Sequence, residues 1–198
     1  LLVHLRMSGD LLVGPKEETL AAHVRLALEL DNTWQLAFNN PRKFGRVWLL
    51  DNPAEKFDQL GPEPFDPALS GETFYQEMHK RKRQVKPLLM DQSFIAGLGN
   101  IYTDEALFLS GIHPLTRADQ VTPSQAEHLL ENIRLVLEEG IARNGASIDW
   151  VYRGGDFQNY FRVYQRTGEP CPVCGTPIKR IIVGQRGTHF CPVCQEIC

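Results

Sequence analysis

No apolar run in the 198 residues approaches the length of a membrane span, and no segment reads as a secretory signal, so a soluble protein is expected. Positive charge is not in excess either: 21 Lys and Arg stand against 24 Asp and Glu, a net charge of −3. That gives no support to a uniformly basic nucleic-acid binder, and any such footprint has to come from local clustering. The composition of disorder is also missing, because 42% hydrophobic and 23% charged residues are globular values. Cysteine is scarce, and four of the five cysteines fall in two C-x-x-C pairs near the end. An initiator methionine is absent: Leu1-Leu2-Val3 already lies in an apolar strand pattern. The chain is therefore read as a fragment whose true N-terminus lies upstream.

The first fifty residues read as β-rich. Leu1 to Val13 reads as two strands around a Ser8-Gly9-Asp10 turn. Val24 to Leu30 alternates as a strand with one wet face should, Asp31-Asn32 supplies a turn, and Thr33 to Phe38 resumes the pattern. Asn39-Asn40-Pro41 is a loop and Phe44 to Leu50 a further strand, so a stack of hairpins in a sandwich or barrel is expected. Pro53, Pro62, Pro64 and Pro67, with Pro41 upstream, break regular structure and mark a linker.

Beyond residue 70 the period turns helical. A helix from Thr122 to about Asn144 has its N-cap at Thr122, Pro123 at the first position and Gln125 completing a capping box. Its stripe of Ala126, Leu129, Leu130, Ile133, Val136, Leu137 and Ile141 reads as core, and Asn144-Gly145 can close it. A second helix should run from Asn100 to Ser110-Gly111, and a short one should open at Pro87. Gln92 to Gly99 joins these two, giving a helix, a glycine-rich turn and a helix.

Cys171-Pro172-Val173-Cys174 and Cys191-Pro192-Val193-Cys194 are near-identical knuckles 16 residues apart. Two intervening residues let a tight turn aim both sulfurs at one ion, so four thiolates on a structural zinc are favoured over disulfides or a redox pair. A closed four-thiolate shell leaves no open coordination position, so the metal would hold a hairpin and the hairpin would do the work. Arg186, between Gly184 and Gly187 at the expected turn, is the obvious group for it. His189 is read as a hairpin residue and Cys198 as a free thiol.

Three local basic stretches offset the acidic average. Lys80-Arg81-Lys82-Arg83 with Lys86 is the densest; it reads either as a solvated helix face or as phosphate contacts. Arg162, Arg166, Lys179, Arg180 and Arg186 make the ribbon locally positive. Arg42-Lys43-Phe44-Gly45-Arg46 has an aromatic inside it and reads either as an ordinary exposed turn or as a probe of a base stack. Gly97-Leu98-Gly99-Asn100 resembles part of a phosphate-cradling loop opening a helix.

Asn40-Pro41-Arg42-Lys43-Phe44-Gly45, the run Gly97 to Glu105, and Gln185-Arg186-Gly187-Thr188-His189-Phe190-Cys191 together resemble formamidopyrimidine-DNA glycosylase, a bacterial repair family, over essentially the whole chain. The resemblance implies an α+β protein. Residues 1–60 would be the C-terminal part of an N-terminal β-sandwich catalytic domain, 61–160 a helix–two-turns–helix DNA-binding domain, and 161–198 the zinc ribbon. It implies removal of oxidised purines from double-stranded DNA by a cytoplasmic, nucleoid-associated monomer, with base flipping and nicking of the abasic site by β,δ-elimination. One structural Zn2+ and no organic cofactor are implied. By carry-over Arg42 and Phe44 would fill the gap left by the flipped base, with Met7 as a second filler. Asn100 and Arg186 would grip the flanking phosphates, Arg186 would assist elimination, and Arg81 falls where the family has a DNA-contacting lysine. The stretch Tyr152 to Tyr160 would cover the flipped base. The family's N-terminal proline nucleophile, the glutamate after it and a later lysine have no counterpart here, and its DNA-contacting histidine column holds Ala21, with His23 two places on. The chain by itself is thus expected to be inactive, and rival readings are a damaged-DNA-binding fragment and an endonuclease VIII-type enzyme for oxidised pyrimidines.

Overall fold

A computed structural model describes residues 1–6, 8–18, 20–31, 33–147 and 154–197. Met7, Asn32 of the expected Asp31-Asn32 turn, Tyr152 and Cys198 lie outside the described residues. The α+β class holds, and the chain forms two compact units: residues 1–55 with 146–155, and residues 56–145 with 156–198.

The first unit is antiparallel β. Strand β2 (Asp10–Pro15) and β3 (Val24–Leu30) flank β4 (Trp34–Asn39), while β1 (Leu2–His4) pairs with β5 (Arg46–Trp48). The β3–β4 hairpin follows the alternating pattern, with Leu28 facing Leu36 and Ala27 facing Ala37. The two segments around Ser8-Gly9-Asp10 are not hairpin partners. Leu2 faces Trp48 in one sheet and Leu12 faces Ala37 in the other, because each strand finds its partner far along the chain.

The second unit is built on helices. Short α1 (Ala54–Phe57) precedes the proline-rich stretch, and Arg134 ties that stretch down by donating to the carbonyls of Pro64 and Leu69, each at 2.7 Å. Helix α2 (Gly71–His79) has a Ser70/Thr73 capping box. The next helix, α3 (Val85–Leu89), opens two residues before the expected Pro87. Pro87 is tolerated there because N–H groups in a first helical turn have no intrahelical partner to lose. Helix α4 (Asn100–Leu109) and α5 (Pro123–Ala142) complete the set.

Helix α5 carries the Thr122/Gln125 capping box and Pro123 as read from the sequence, and Asn144 and Gly145 close it with φ of 55° and 79°. Ala126, Leu129, Leu130, Ile133 and Val136 are buried in one core with Phe74, Met78, Leu88, Leu89, Ile95 and Leu107. Ile141 is not part of that core; it is 70% exposed. In the last turn the packed face passes through Gly140, where an added Cβ would meet the Tyr102 hydroxyl at 2.4 Å. Ile141 lies about 100° further round the helix.

The ribbon hairpin is β6 (Lys179–Val183) with β7 (Arg186–Phe190). Its two-residue turn, Gly184-Gln185, has both φ positive, at 55° and 62°, which is the geometry that matches the twist of the flanking strands. A small core of Phe108, Val163, Cys171, Ile178 and Cys191 joins the ribbon to α4.

Candidate nucleic-acid interface

The four knuckle cysteines converge. Their sulfurs all lie within 4.8 Å of one another, with Cys171 to Cys194 at 3.8 Å and Cys174 to Cys191 at 3.4 Å. A tetrahedron of sulfurs with bonds of about 2.3 Å to one zinc has edges of about 3.8 Å, so the donor set fits such an ion. Burial pushes the Cys191 and Cys194 thiols up, while hydrogen bonding to Thr176 draws Cys174 down to about 6. Sulfurs this close become four thiolates only around a cation. His189 stays out of the cluster: its ring Nδ1 faces Asp104 Oδ2 at 3.3 Å.

Arg186 opens β7 opposite Val183 and is exposed. The carbonyl of the next residue, Gly187, accepts from Asn100 Nδ2 at 3.1 Å and from Lys86 Nζ at 3.2 Å. The hairpin tip is thereby held against the start of α4, the glycine-rich helix opening singled out in the sequence. Gly97 has φ of 81°, and a Cβ on either Gly97 or Gly99 would meet nothing within 4 Å. Gly99 is the N-cap of α4 and no side chain caps that end. The result is a glycine-lined, uncapped helix N-terminus with an exposed arginine beside it, a suitable seat for an anion.

The remaining residues named from the sequence divide. Arg81 is half-buried in the second unit, donating to Glu77 Oε2 at 2.9 Å with its guanidinium 5.2 Å from the centre of the Phe94 ring. Lys80 and Arg81 pair with Glu77, and Arg83 pairs with Asp91. The basic run is therefore the exit of α2, which ends at His79, and not a helix face. Lys86 leaves the surface altogether: its side chain is 0% exposed and its ammonium lies 2.5 Å from Asp104 Oδ1.

In the first unit Arg42 Nε donates to Ser8 Oγ at 3.1 Å, and Phe44 is 59% exposed on the same loop. Gly45 is required beside it, because a Cβ there would lie 2.4 Å from the Phe38 ring. Of the Tyr152 to Tyr160 stretch, residues 157–160 form a 3-10 turn whose Phe157 is buried and stacked on Tyr102 at 5.2 Å.

Sequence reasoning gave no role to Asp104 and Glu105. Both are buried on α4. Glu105 accepts from the backbone N–H groups of Arg162, Val163 and Tyr164 at 2.8 to 2.9 Å, which fixes the strand of chain entering the ribbon. Burial pushes its carboxyl up, and those donors oppose the shift. Two adjacent acidic residues running directly into the apolar Ala106-Leu107-Phe108-Leu109 are the available signal.

Residues 1–47 match the formamidopyrimidine-DNA glycosylase N-terminal domain, 60–151 the formamidopyrimidine-DNA glycosylase H2TH domain, and 168–197 a zinc finger found in FPG and IleRS. The chain is 48% identical to a formamidopyrimidine-DNA glycosylase of Chloroflexus aurantiacus, over 98% of this chain and 72% of that protein. It is 47% identical to the same enzyme of Chloroflexus aggregans, over 100% of this chain and 74% of that one. Among solved structures, Lactococcus lactis formamidopyrimidine-DNA glycosylase bound non-covalently to AP-site-containing DNA superposes with a TM-score of 0.90 at 37% identity, covering 98% of this chain and 73% of that one. MutM in complex with carbocyclic 8-oxo-G-containing DNA gives a TM-score of 0.89 at 36% identity, with coverage of 98% and 73%. The chain therefore belongs to the formamidopyrimidine-DNA glycosylase family.

Proposed function

We propose that the protein acts in base-excision repair, removing oxidised purines such as 8-oxoguanine and formamidopyrimidines from double-stranded DNA and nicking the abasic site by β,δ-elimination. It works as a monomer in the bacterial cytoplasm. The observation that carries this reading is the Gly187 carbonyl shared by Asn100 and Lys86, which sets exposed Arg186 beside the uncapped start of α4. Arg186 and Asn100 grip the phosphates flanking an extruded nucleotide, since helix N–H groups, an amide and a guanidinium all favour phosphate oxygens. Arg186 also assists elimination by stabilising charge on the departing phosphate. Arg81 supplies a further phosphate contact.

Phe44 and Arg42 fill the space the flipped base leaves, an exposed ring and an exposed cation on one loop. Met7 is assigned with them from the sequence. Cys171, Cys174, Cys191 and Cys194 hold one structural zinc, which when bound supplies the folding free energy of the ribbon. Attack on the sugar is assigned to none of these residues. The domain division proposed is 1–60, 61–160 and 161–198.

The test is excision from duplexes carrying either 8-oxoguanine opposite cytosine or thymine glycol. Release of 8-oxoguanine with strand scission is expected of a version supplied with the family's proline nucleophile and glutamate, which have no counterpart in these 198 residues; without them no base should be released. Preferential release of thymine glycol would move the protein to the endonuclease VIII type. Lesion-selective binding with no base released even by that version would leave a damaged-DNA-binding protein.

A further inference from the structure

Beneath the exposed groups of this grip lies an ion pair that solvent does not reach. Lys86 and Asp104 are each 0% exposed in their side chains, with Nζ to Oδ1 at 2.5 Å. Their other side-chain hydrogen bonds among the described residues all lead to β7. Lys86 Nζ donates to Gly187 O at 3.2 Å, and Asp104 Oδ2 accepts from the His189 backbone N–H at 2.9 Å and faces His189 Nδ1 at 3.3 Å. Burial lowers the Lys86 pKa, Asp104 raises it, and the charge of Arg186 lowers it further, so the exposed arginine is near enough to be felt.

Such a pair is a costly way to join two elements. Removing both charges from water roughly cancels their attraction, and apolar residues of the same volume would hold as well or better. What an ion pair with directed hydrogen bonds adds is orientation. The atoms it fixes follow Arg186 on the same strand: Gly187 O directly after it and, two residues further, His189 N.

Asn100 shows what the orientation is for. Its Nδ2 spends one hydrogen on Gly187 O, while its Oδ1 is buried with no hydrogen-bond partner among the described residues. An amide nitrogen carries two hydrogens, so one remains. Were the amide turned over, Oδ1 would meet Gly187 O, acceptor against acceptor. The Gly187 carbonyl thus selects the amide orientation in which the nitrogen keeps a spare donor.

We infer that Lys86 and Asp104 are positioning residues for DNA binding: by holding the Gly187 carbonyl and the His189 backbone they set Arg186 and the Asn100 amide as a paired grip on phosphate. The inference rests on the reading of Arg186 and Asn100 as phosphate contacts. Lys86 does not itself touch DNA.

The test is a double-mutant cycle on the zinc-loaded protein, with affinity for a duplex carrying a tetrahydrofuran abasic-site analogue measured across salt concentrations. Asp104→Asn, Arg186→Ala and the double variant are compared, each checked for one zinc per chain. Each single change should weaken binding about tenfold, and the double variant should lose no more than about twofold beyond Arg186→Ala, because both act through one contact. Asp104→Asn should also lower the salt slope by about one although it changes no exposed charge, which a merely stabilising pair would not do. Additive losses of about a hundredfold overturn the inference, as does wild-type affinity in Asp104→Asn. Should Asp104→Asn fail to retain zinc, Lys86→Met with Asp104→Leu leaves no unpaired charge. In that variant reduced affinity with a lowered slope supports the inference and full affinity overturns it. If Arg186→Ala alone costs nothing, the underlying phosphate-contact reading has failed and the inference with it; if Arg186→Ala costs affinity and Asp104→Asn does not, only the positioning role is lost.

Discussion

The two units use apolar residues in opposite ways. In the first, among the described residues, only Ala37 and Phe38 are buried hydrophobics, while Val13 is 64% exposed, Trp34 49% and Leu49 88%. In the second, α2, α3, α4 and α5 share one core in which Met78, Val85, Leu88, Leu89, Leu129 and Ile133 are all 0% exposed. The first unit is specified by its backbone ladders and its register, the second by side-chain packing. The proposed phosphate grip lies wholly in the second, on β7 and the start of α4, and the exposed Phe44 loop belongs to the first.

That contrast breaks most sharply at the metal. Cys174→Ser should abolish zinc retention and unfold the ribbon, since structural zinc supplies on the order of 10 kcal/mol of apparent folding free energy to such small elements. Hydrogen exchange should show residues 168–197 unprotected and the β2–β4–β3 ladder unchanged. DNA affinity should fall with the metal content. Full binding by a zinc-free variant would show that the hairpin does not depend on its cysteines.

The core contrast comes next in size. Leu129→Ala removes a fully buried side chain from the helical core and should cost about 2–5 kcal/mol in chemical denaturation. Leu12→Ala, on a strand position 37% exposed, should cost less than about 1 kcal/mol. Equal losses would mean that the first unit has a core its exposure does not reveal.

A smaller effect is written in pH. Asp91 accepts from the Ser93 hydroxyl at 2.7 Å, from Arg83 at 2.6 Å and from the Ser93 backbone N–H at 3.1 Å. The Ser93 hydroxyl first, then Arg83, holds its carboxyl at about 2, below the usual 3.8. Because the folded value is depressed, the stabilisation is complete above pH 3.8 and is lost as pH falls toward 2. The carboxylate is about one-third exposed, so screening leaves on the order of 1 kcal/mol. Asp91→Asn should therefore be less stable than the parent at pH 6, with the gap closing near pH 2; a gap independent of pH would remove the carboxylate from the account of this turn.

Much of this is legible in the sequence, and the reason is range. The capping box of α5, the positive-φ pair that closes it and the two C-x-x-C knuckles are decided within a few residues of themselves. Arg186 beside the turn and Asn100 at a helix start were legible for the same cause. Three features were not. The partners of β1 and β2 depend on strands tens of residues away, the burial of Lys86 depends on Asp104 and Gly187, and the exposure of Ile141 depends on where Tyr102 meets the last turn of α5. In sequence Lys86 groups with the basic run Lys80 to Arg83 at the surface, while its partner in space, Asp104, is buried.

The smallest effect on folding falls on the residue proposed to enter the DNA. Phe44 is 59% exposed and carried on a loop closed by Asn40, whose amide oxygen accepts from Gly45 N at 3.4 Å. An exposed ring contributes little to a folded state, so Phe44→Ala should change stability by no more than about 0.5 kcal/mol. A ring wedged into a base stack is worth about 1–3 kcal/mol on binding, so affinity for the abasic-analogue duplex should fall by at least severalfold with the salt slope unchanged, no charge having been removed. The pairing of these results is what matters. Unchanged stability with weakened, salt-parallel binding marks a side chain kept exposed for a partner. Lost stability would instead place Phe44 in the packing of its own unit.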